Sequence, residues 1–313
     1  MTILERGKKL LADCLAVQPC EQVLIVTDDG KASIGQALYQ AAGALGAAAL
    51  LMQMQPCLMP GQEPPAAVAR AMAAADVVLA PTSVSLTHTH ARIEAAAAGT
   101  RIATMPGITE DMFCHGAVCA DYPSVAQFTE QLAALLTEAR EAVLVKDGCR
   151  LTLNLATRNG VASTGIYRKP GQAGNLPSGE AYIAPLEDGC EGETIIDGSM
   201  VGIGLLESPL RATIAHGRLQ ALSGRDWEQL AFLLEDPRRA TVGELGIGTN
   251  PCARLSGNIL EDEKIYGSVH IAFGTNTAFG GNNQADCHLD GVILHPDLYL
   301  DGRCILQKGK FVI

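Results

Sequence analysis

The 313-residue chain has little positive charge and few aromatic residues. It contains 23 Lys and Arg against 34 Asp and Glu, which gives a formal net charge of −11, and only 4% of its residues are aromatic. Nucleic acids and anionic membranes are bound through basic patches, so we expect neither of them as the main partner. A small molecule or a short peptide is the substrate class that best fits this acidic composition.

The sequence also lacks the features of secreted, membrane-spanning and disulfide-rich proteins. No CxxC pair occurs among the ten cysteines, and the first eleven residues are charged and amphipathic. The longest apolar runs are rich in Ala and interrupted by Gly, which excludes a hydrophobic span of about 20 residues. We therefore expect a cytoplasmic protein with reduced thiols.

The GxGxxG motif that holds a dinucleotide is missing after the first predicted strand, which argues against a nucleotide site. Short apolar runs nevertheless alternate with helical segments through the first half, a pattern typical of βαβ units and a parallel sheet. The predicted strands are 22–27, 47–52, 76–80 and 101–104, and the predicted helices are 33–42, 65–75, 89–98 and 124–145.

The second half has a different pattern from about residue 146 onward. Pairs such as Asp147-Gly148, Asn159-Gly160 and Asp301-Gly302 separate short apolar runs, as in β-hairpins. Only residues 226–234 have a strongly helical pattern there. The sequence therefore predicts an α/β protein, with an N-terminal Rossmann-like parallel-sheet domain over residues 1–145. A β-rich α+β domain is predicted over residues 146–313.

Five acidic and imidazole side chains of the second half stand within apolar or glycine-rich sequence. Each alone fits a structural role, such as a turn cap, an ion pair or a core histidine. A buried charge is costly, however, unless it is paired or bound to a metal ion. Together the five suit one or two divalent cations, and the last two would face the same side of a strand. They are Glu180, Glu244, His270, His288 and Asp290.

Four motifs of the second half, NLPSGE, GELGIGTNP, GSVHIAFG and HLDG, carry a resemblance to known enzymes. They resemble the aminopeptidase T and aminopeptidase S metallopeptidases, and in particular a shorter, leucyl aminopeptidase-like branch. The 2,5-dihydroxypyridine dioxygenases, which share the fold, are similar as well. The peptidase resemblance implies that all five residues bind a pair of metal ions, and it implies a homodimer. The dioxygenase resemblance implies one Fe(II) held by His270, His288 and Asp290.

Two chemistries fit this ligand set. We expect a metal-dependent hydrolase for a small amide or peptide, in which one or two Zn, Mn or Co ions activate water and Glu180 or Glu244 is the general base. The alternative is a ring-cleaving dioxygenase with one Fe(II), in which the glutamates orient the imidazoles. The glutamate pair favours the first, whereas Thr277 stands where the peptidases have a Tyr and favours the second. A non-catalytic metal-binding protein is a second alternative.

Further candidates follow the third predicted strand, where parallel sheets place their ligand-binding loops. We expect His90 as a proton shuttle, with His88 and Arg92 at a substrate carboxylate. The alternative is a cluster that caps the helix starting at Thr89. Asn276 is a predicted substrate-binding residue, and residues 261–264 are expected to form a solvated or ion-paired turn.

Overall fold

A computed structural model describes residues 2–313 of the chain. The residues divide into two compact units, of which the first ends at Ala126 and also contains Gly165–Ser178. The second unit comprises Gln127–Thr164 and Gly179–Ile313. The sequence places one boundary near residue 145, whereas the chain passes between the units three times. The returning segment belongs to the first unit because it contributes a strand to that unit's sheet.

The first unit is built on a parallel sheet of five strands, as the alternation of strands and helices predicts. Its central strands are almost continuously apolar and buried, which is the pattern of a parallel sheet covered on both faces. In spatial order the strands are β2 (Ala48–Met54), β1 (Gln22–Asp28), β3 (Val77–Thr82), β4 (Arg101–Pro106) and β8 (Ala173–Asn175).

Helices connect these strands, and several begin at a side-chain cap. Thr2 and Glu5 form a capping box at the first helix, and Thr89 and Thr109 accept hydrogen bonds from the N–H groups three residues later. The helix predicted over 124–145 ends at Glu138, because the residues after it form a strand. The helices are α1 (Ile3–Leu15), α2 (Ala32–Ala44), α3 (Ala66–Ala74), α4 (His90–Ala97), α5 (Glu110–Cys114) and α6 (Tyr122–Glu138), which continues into the second unit.

The second unit contains an antiparallel sheet of eight strands. Hairpin turns at Asp147-Gly148 and Asp301-Gly302 connect neighbouring strands, and both residues of each turn have positive φ, as a type I′ turn requires. In spatial order the strands are β14 (Arg218–Ser223), β13 (Leu210–Ala215), β10 (Cys190–Ile196), β6 (Cys149–Asn154), β5 (Glu141–Lys146), β18 (Asp297–Leu300), β19 (Arg303–Gln307) and β20 (Lys310–Phe311).

A second antiparallel sheet, of seven strands, completes this unit. In spatial order it contains β12 (Gly204–Leu205), β11 (Ser199–Met200), β17 (His288–Ile293), β16 (Val269–Gly274), β15 (Val242–Gly248), β9 (Glu180–Ile183) and β7 (Val161–Ser163). The only α-helix wholly within the described part of the unit is α7 (Ile259–Asp262), and the segment predicted as helical over 226–234 is a 3-10 helix, Trp227–Glu235. Shorter 3-10 turns occur at Asp29–Lys31, Ala117–Cys119 and Thr277–Phe279.

One large apolar core fills the second unit. It contains residues of both sheets, for example Leu151 and Ile214 of the eight-stranded sheet and Leu245, Ile271 and Phe273 of the seven-stranded sheet. Because side chains alternate between the faces of a strand, the residues between these apolar ones on the seven-stranded sheet point away from the core. In residues 2–313, no helix combines the length and the hydropathy that a membrane crossing requires.

Candidate metal centre

The five predicted ligands lie on one face of the seven-stranded sheet. Glu180 stands opposite Gly248, and His270 stands opposite Gly246, in neighbouring positions of the ladder. Glu244 and Asp290 both pair with Ala272, from the strands on its two sides, and His288 pairs with Gly274. Since directly paired residues share a face, strand pairing alone brings together side chains that are more than 100 positions apart in sequence.

A β-bulge determines which way Glu244 points. The pairing of β15 with β16 shifts between Val242 and Glu244, so that Gly243 is an extra residue in β15. In a regular strand Val242 and Glu244 would share a face. The extra residue lets Val242 join the apolar core while Glu244 faces the polar side, which is a common use of bulges near functional sites.

Gly246 makes room for the imidazole of His270. A Cβ atom at this position would lie 2.0 Å from His270 Nε2, far closer than any real contact. The imidazole ring therefore lies directly over the backbone of Gly246, and the side chain of His270 is fully buried. The GELGIG segment thus supplies both a carboxylate, from Glu244, and the space for an imidazole on the neighbouring strand.

The ligand atoms converge at spacings that suit a metal ion. His270 Nε2 is 3.2 Å from Glu244 Oε1 and 3.5 Å from Glu180 Oε2. His288 Nε2 is 3.3 Å from Glu244 Oε2 and 3.5 Å from Asp290 Oδ1. Around a tetrahedral ion with bonds of about 2.1 Å, neighbouring ligand atoms lie about 3.4 Å apart. Two groups of side chains could hold an ion: Glu244 with His288 and Asp290, and Glu180 with Glu263 and His270.

Two further details fit metal binding. His288 Nδ1 is 2.8 Å from the carbonyl oxygen of Thr275, and donation to this carbonyl leaves the lone pair of Nε2 free for a metal. Glu180 Oε2 is buried and has no hydrogen-bond partner within residues 2–313, although it lies near His270 Nε2. A buried carboxylate oxygen without a donor is costly, and a cation would satisfy it.

The charges of the centre are strongly coupled. Burial opposes ionisation of Asp290, but the charges of His288, His270 and Lys264 outweigh it and lower the pKa of Asp290 to about 2. Burial likewise opposes protonation of His270, yet Glu244, Glu180 and Asp290 raise its pKa to about 9. These carboxylates therefore attract positive charge strongly, whether it is a proton or a metal ion.

Glu263 and Lys264 are members of the site that the sequence did not predict. Residues 261–264 were expected to form a solvated or ion-paired turn, but Lys264 is 1% exposed and its Nζ lies 2.7 Å from Glu180 Oε1. It also pairs with Glu263. The ion-paired alternative thus agrees with the structure and the solvated one does not. Lys264 is buried because the backbone of this segment packs on the sheet at Gly248, where a Cβ atom would lie 2.0 Å from the carbonyl oxygen of Ile265.

The candidates after the third predicted strand lie in the first unit, at the start of α4. Thr89 caps this helix, and the carboxylate of Glu63 accepts hydrogen bonds from the N–H groups of His90 and Ala91. Arg92 Nε donates to the carbonyl oxygen of Thr87 at 2.6 Å, whereas the side chains of His88 and His90 are exposed. The local geometry is thus that of a helix cap, and the substrate roles of His88, His90 and Arg92 stay predictions.

Asn276 is buried in the loop between β16 and β17. Its Oδ1 accepts the N–H of Asn283 at 2.8 Å, and its Nδ2 donates to Glu187 Oε1 at 3.2 Å. The oxygen of the amide thus holds the loop together and its nitrogen ties the loop to Glu187, while the predicted contact of Asn276 with substrate stays a prediction. The same loop places the ring of Phe279 edge-on against His288, with 6.0 Å between the ring centroids.

Comparison with known proteins shows the family to which the chain belongs. A family model described as 2,5-dihydroxypyridine 5,6-dioxygenase, NicX, matches residues 3–313. The chain belongs to this family. The curated 2,5-dihydroxypyridine 5,6-dioxygenase of Pseudomonas putida KT2440 is 27% identical over 203 residues, which are 57% of this chain and 56% of that protein. The alignment thus spans little more than half the length of this relative of the dioxygenase family.

Solved structures show how widely the fold is shared. The structure of 2,5-dihydroxypyridine dioxygenase from Pseudomonas putida KT2440 has a TM-score of 0.83 and 20% identity, and covers 99% of this chain and 96% of its own. AmpT from Thermus thermophilus, an aminopeptidase T, has a TM-score of 0.75 and 19% identity, with 99% of both chains covered. At these identities the two structures show the fold alone, and the fold common to the peptidases and the dioxygenase family is confirmed.

The expected metal-dependent hydrolase is wrong, because the chain belongs to a family of dioxygenases. The expectation relied on the two glutamates, which a metal pair would use in hydrolysis. Glutamate and histidine ligands serve either chemistry, so residue types alone did not separate the two. For this member of the dioxygenase family, the likeness to aminopeptidase T is a likeness of fold.

Proposed function

We propose that the chain is an Fe(II)-dependent dioxygenase that opens the ring of a dihydroxylated aromatic substrate of the 2,5-dihydroxypyridine type. The observation that carries this proposal is the convergence of His270, His288 and Asp290 on one sheet face, in a chain of this family. Two imidazoles and one carboxylate on one side of an ion are the ligand set of non-haem Fe(II) oxygenases. Bound there, the iron would supply the redox chemistry by which dioxygen reacts with an aromatic diol.

His288 marks the side from which a substrate approaches. Its side chain is 28% exposed, whereas that of Asp290 is 10% exposed and that of His270 is fully buried. The hydrogen bond between His288 Nδ1 and the carbonyl oxygen of Thr275 orients the ring from behind. We therefore expect the substrate to approach the centre beside His288.

Glu244 has a role that differs from that of a hydrolytic base. Burial opposes its ionisation, but hydrogen bonds from His270 and His288 outweigh burial and lower the pKa of Glu244, so it is a carboxylate at neutral pH. Its two oxygens face the two Nε2 atoms at 3.2 and 3.3 Å. In our proposal Glu244 lies beside the iron that both Nε2 atoms would hold, and it accepts the proton of a substrate hydroxyl group.

Aromatic side chains stand beside the exposed ligand. Phe279 lies edge-on to His288 and also edge-on to Tyr182, with 5.2 Å between the two ring centroids. Aromatic rings favour edge-to-face and offset contacts with other rings, worth about 1 kcal/mol beyond the area that they bury. A flat, aromatic substrate would therefore be held against this pair.

Oxygen uptake with anaerobically purified, Fe(II)-loaded protein and 2,5-dihydroxypyridine tests the proposal. We expect consumption of one O₂ per substrate, with loss of the aromatic absorbance of the substrate. His288→Ala should abolish both signals, while His216→Ala, at an 89% exposed side chain in a turn, should leave them unchanged. Iron-loaded protein that consumes no O₂ with this or any other dihydroxylated pyridine or benzene would refute the proposed reaction. That result would favour a metal-binding protein without catalysis.

We also propose a homodimer, on the resemblance to the peptidases alone. Sedimentation equilibrium would give about twice the chain mass of 32.8 kDa for a dimer. A mass equal to one chain at micromolar concentration would contradict the proposal.

A further inference from the structure

Lys264 is a buried cation inside the ligand cluster. Its side chain is 1% exposed, and Nζ lies 2.7 Å from Glu180 Oε1 and in contact with Glu263 Oε1. Lysine side chains are almost never fully buried, and those that are buried are paired with an opposite charge, as Lys264 is with two carboxylates.

The ammonium lies in one of the two groups that could hold a metal ion. Glu180, Glu263 and His270 offer ligand atoms within 4.8 Å of one another, and two of these three residues are already paired with Nζ. The other group consists of Glu244, His288 and Asp290. Within residues 2–313, its two carboxylates form ion pairs with imidazole nitrogens only. The two groups therefore differ in one respect: one of them has a cation of its own.

The backbone fixes Lys264 in this position. Its carbonyl oxygen accepts the N–H of Asn250 at 2.9 Å, and its own N–H donates to the carbonyl oxygen of Glu261 at 3.0 Å. The chain crosses β15 at Gly248, where a Cβ atom would be 2.7 Å from the carbonyl carbon of Lys264. A glycine at position 248 is thus required for the lysine to reach the ligand face.

We propose that Lys264 takes the place of a second metal ion and limits the centre to a single metal. One ammonium pairs with Oε1 of Glu180 and with Oε1 of Glu263, whose carboxylates would otherwise be ligands of a second cation. His270, His288 and Asp290, with Glu244 beside them, are then left for one ion. This inference rests on the proposed metal centre but is independent of the reaction that the centre catalyses.

Metal stoichiometry tests the inference directly. Metal-free protein is titrated with Mn²⁺ by isothermal calorimetry, and the bound metal is counted by mass spectrometry after gel filtration. We expect one ion per chain for the wild type and two for Lys264→Met, which has a similar length and no charge. Lys264→Arg keeps the charge and should bind one. Lys264→Met that binds one ion with unchanged affinity would overturn the proposal.

Lys146→Met is a matched control for the loss of a buried lysine. Lys146 is 11% exposed, and its Nζ lies 2.8 Å from Asp197 Oδ2 and 2.9 Å from the carbonyl oxygen of Leu294, outside both metal-binding groups. This variant should bind one ion. Two ions in Lys146→Met would show that the gain is unrelated to the position of the lysine, and would contradict the inference.

A measurement on the wild type keeps the proposal testable if Lys264→Met does not fold. With excess Mn²⁺ the wild type should give the electron paramagnetic resonance spectrum of an isolated ion, whereas a spin-coupled pair would refute the role of Lys264. Wild-type protein that binds two ions would contradict this inference alone. Wild-type protein that binds none would contradict the proposed function as well.

Discussion

Buried carboxylates occur in both units, and their surroundings differ. In the first unit, Asp28 accepts hydrogen bonds from the N–H and Oγ of Ser83, at 2.5 and 2.8 Å, and from the N–H of Gly30 at 3.1 Å. In the second unit, Asp290 and Glu244 face imidazoles, and Glu180 retains an oxygen without a donor among residues 2–313. Backbone N–H donors are permanent, whereas imidazolium protons can be exchanged for a metal ion. In our proposal, the kind of donor therefore distinguishes a structural carboxylate from a metal ligand.

Asp290→Asn should show the largest effect predicted by this comparison. The amide keeps the shape but loses the charge, so we expect metal affinity to fall by more than about 100-fold. This is more than the loss typical of a residue that only hydrogen-bonds to a metal ligand. Oxygen uptake should fall with it. Equilibrium dialysis against Mn²⁺ and oxygen uptake measure the two effects.

Asp28→Asn is the matched substitution in the first unit. It should lower the free energy of unfolding by about 1–3 kcal/mol, because a charged acceptor of three hydrogen bonds is lost. Metal affinity should stay within about twofold of the wild type. An equal loss of metal affinity in both variants would invalidate the distinction between the two kinds of carboxylate.

Gly246→Ala should have the next largest effect. The added Cβ would lie 2.0 Å from His270 Nε2, so the ring has to move and metal affinity should drop by about 10- to 100-fold. Gly43→Ala in α2 is the control, since a Cβ there meets nothing within 4 Å and should stabilise the helix by up to about 1 kcal/mol. Unchanged metal binding in Gly246→Ala would contradict the packing of the imidazole on the glycine.

The stabilisation that a metal gives should increase with pH. In the metal-free protein the pKa of His270 is raised to about 9, so its protonated form stabilises the fold below about pH 6.5, and that contribution is lost as the pH rises through 9. A metal binds the neutral ring and must displace the proton at lower pH. Metal at 100 times its Kd should add about 2.7 kcal/mol. Thermal unfolding with and without Mn²⁺, from about pH 6 to pH 9, measures this trend, and a stabilisation that does not increase with pH would show that the imidazoles are not ligands.

Phe279→Ala should give the smallest effect. Loss of the ring beside His288 and Tyr182 should raise KM by about fivefold to tenfold and change kcat little, because an aromatic contact is worth about 1 kcal/mol. Steady-state kinetics with the aromatic substrate measure the change, and Phe311→Ala, at a ring packed against Phe128 and Tyr266, is the control. A lower kcat with unchanged KM would contradict a role in substrate binding.

Local sequence patterns predicted much of the fold and of the site. The alternation of strands and helices gave the parallel sheet, and the two-residue spacing of His288 and Asp290 placed both on one face of β17. The motifs that contain Glu180, Glu244 and His270 indicated the rest of the cluster. These features depend on periodicity within one strand or on short motifs, which a single sequence contains.

The remaining features depend on contacts between distant segments. The strand Ala173–Asn175 joins a sheet whose other strands end by Pro106, and no local pattern indicates this return. Glu263 and Lys264 stand in a run of charged residues that is typical of an exposed turn, yet the crossing at Gly248 buries the lysine. The ligands did not decide between hydrolase and dioxygenase, because both use the same types of ligand, and Thr277 was the residue that favoured the dioxygenase.

The additional residue at Gly243 gives β15 two phases of alternation within one strand. Val242 and Glu244 are two positions apart and yet lie on opposite faces, so a straightened β15 of the same length would either turn Val242 outward or turn Glu244 into the apolar interior. The first outcome exposes hydrocarbon and the second buries a bare charge. Deleting Gly243 would make the two residues consecutive and keep one on each face, so a shorter strand should be tolerated here where an undistorted one of the present length is not.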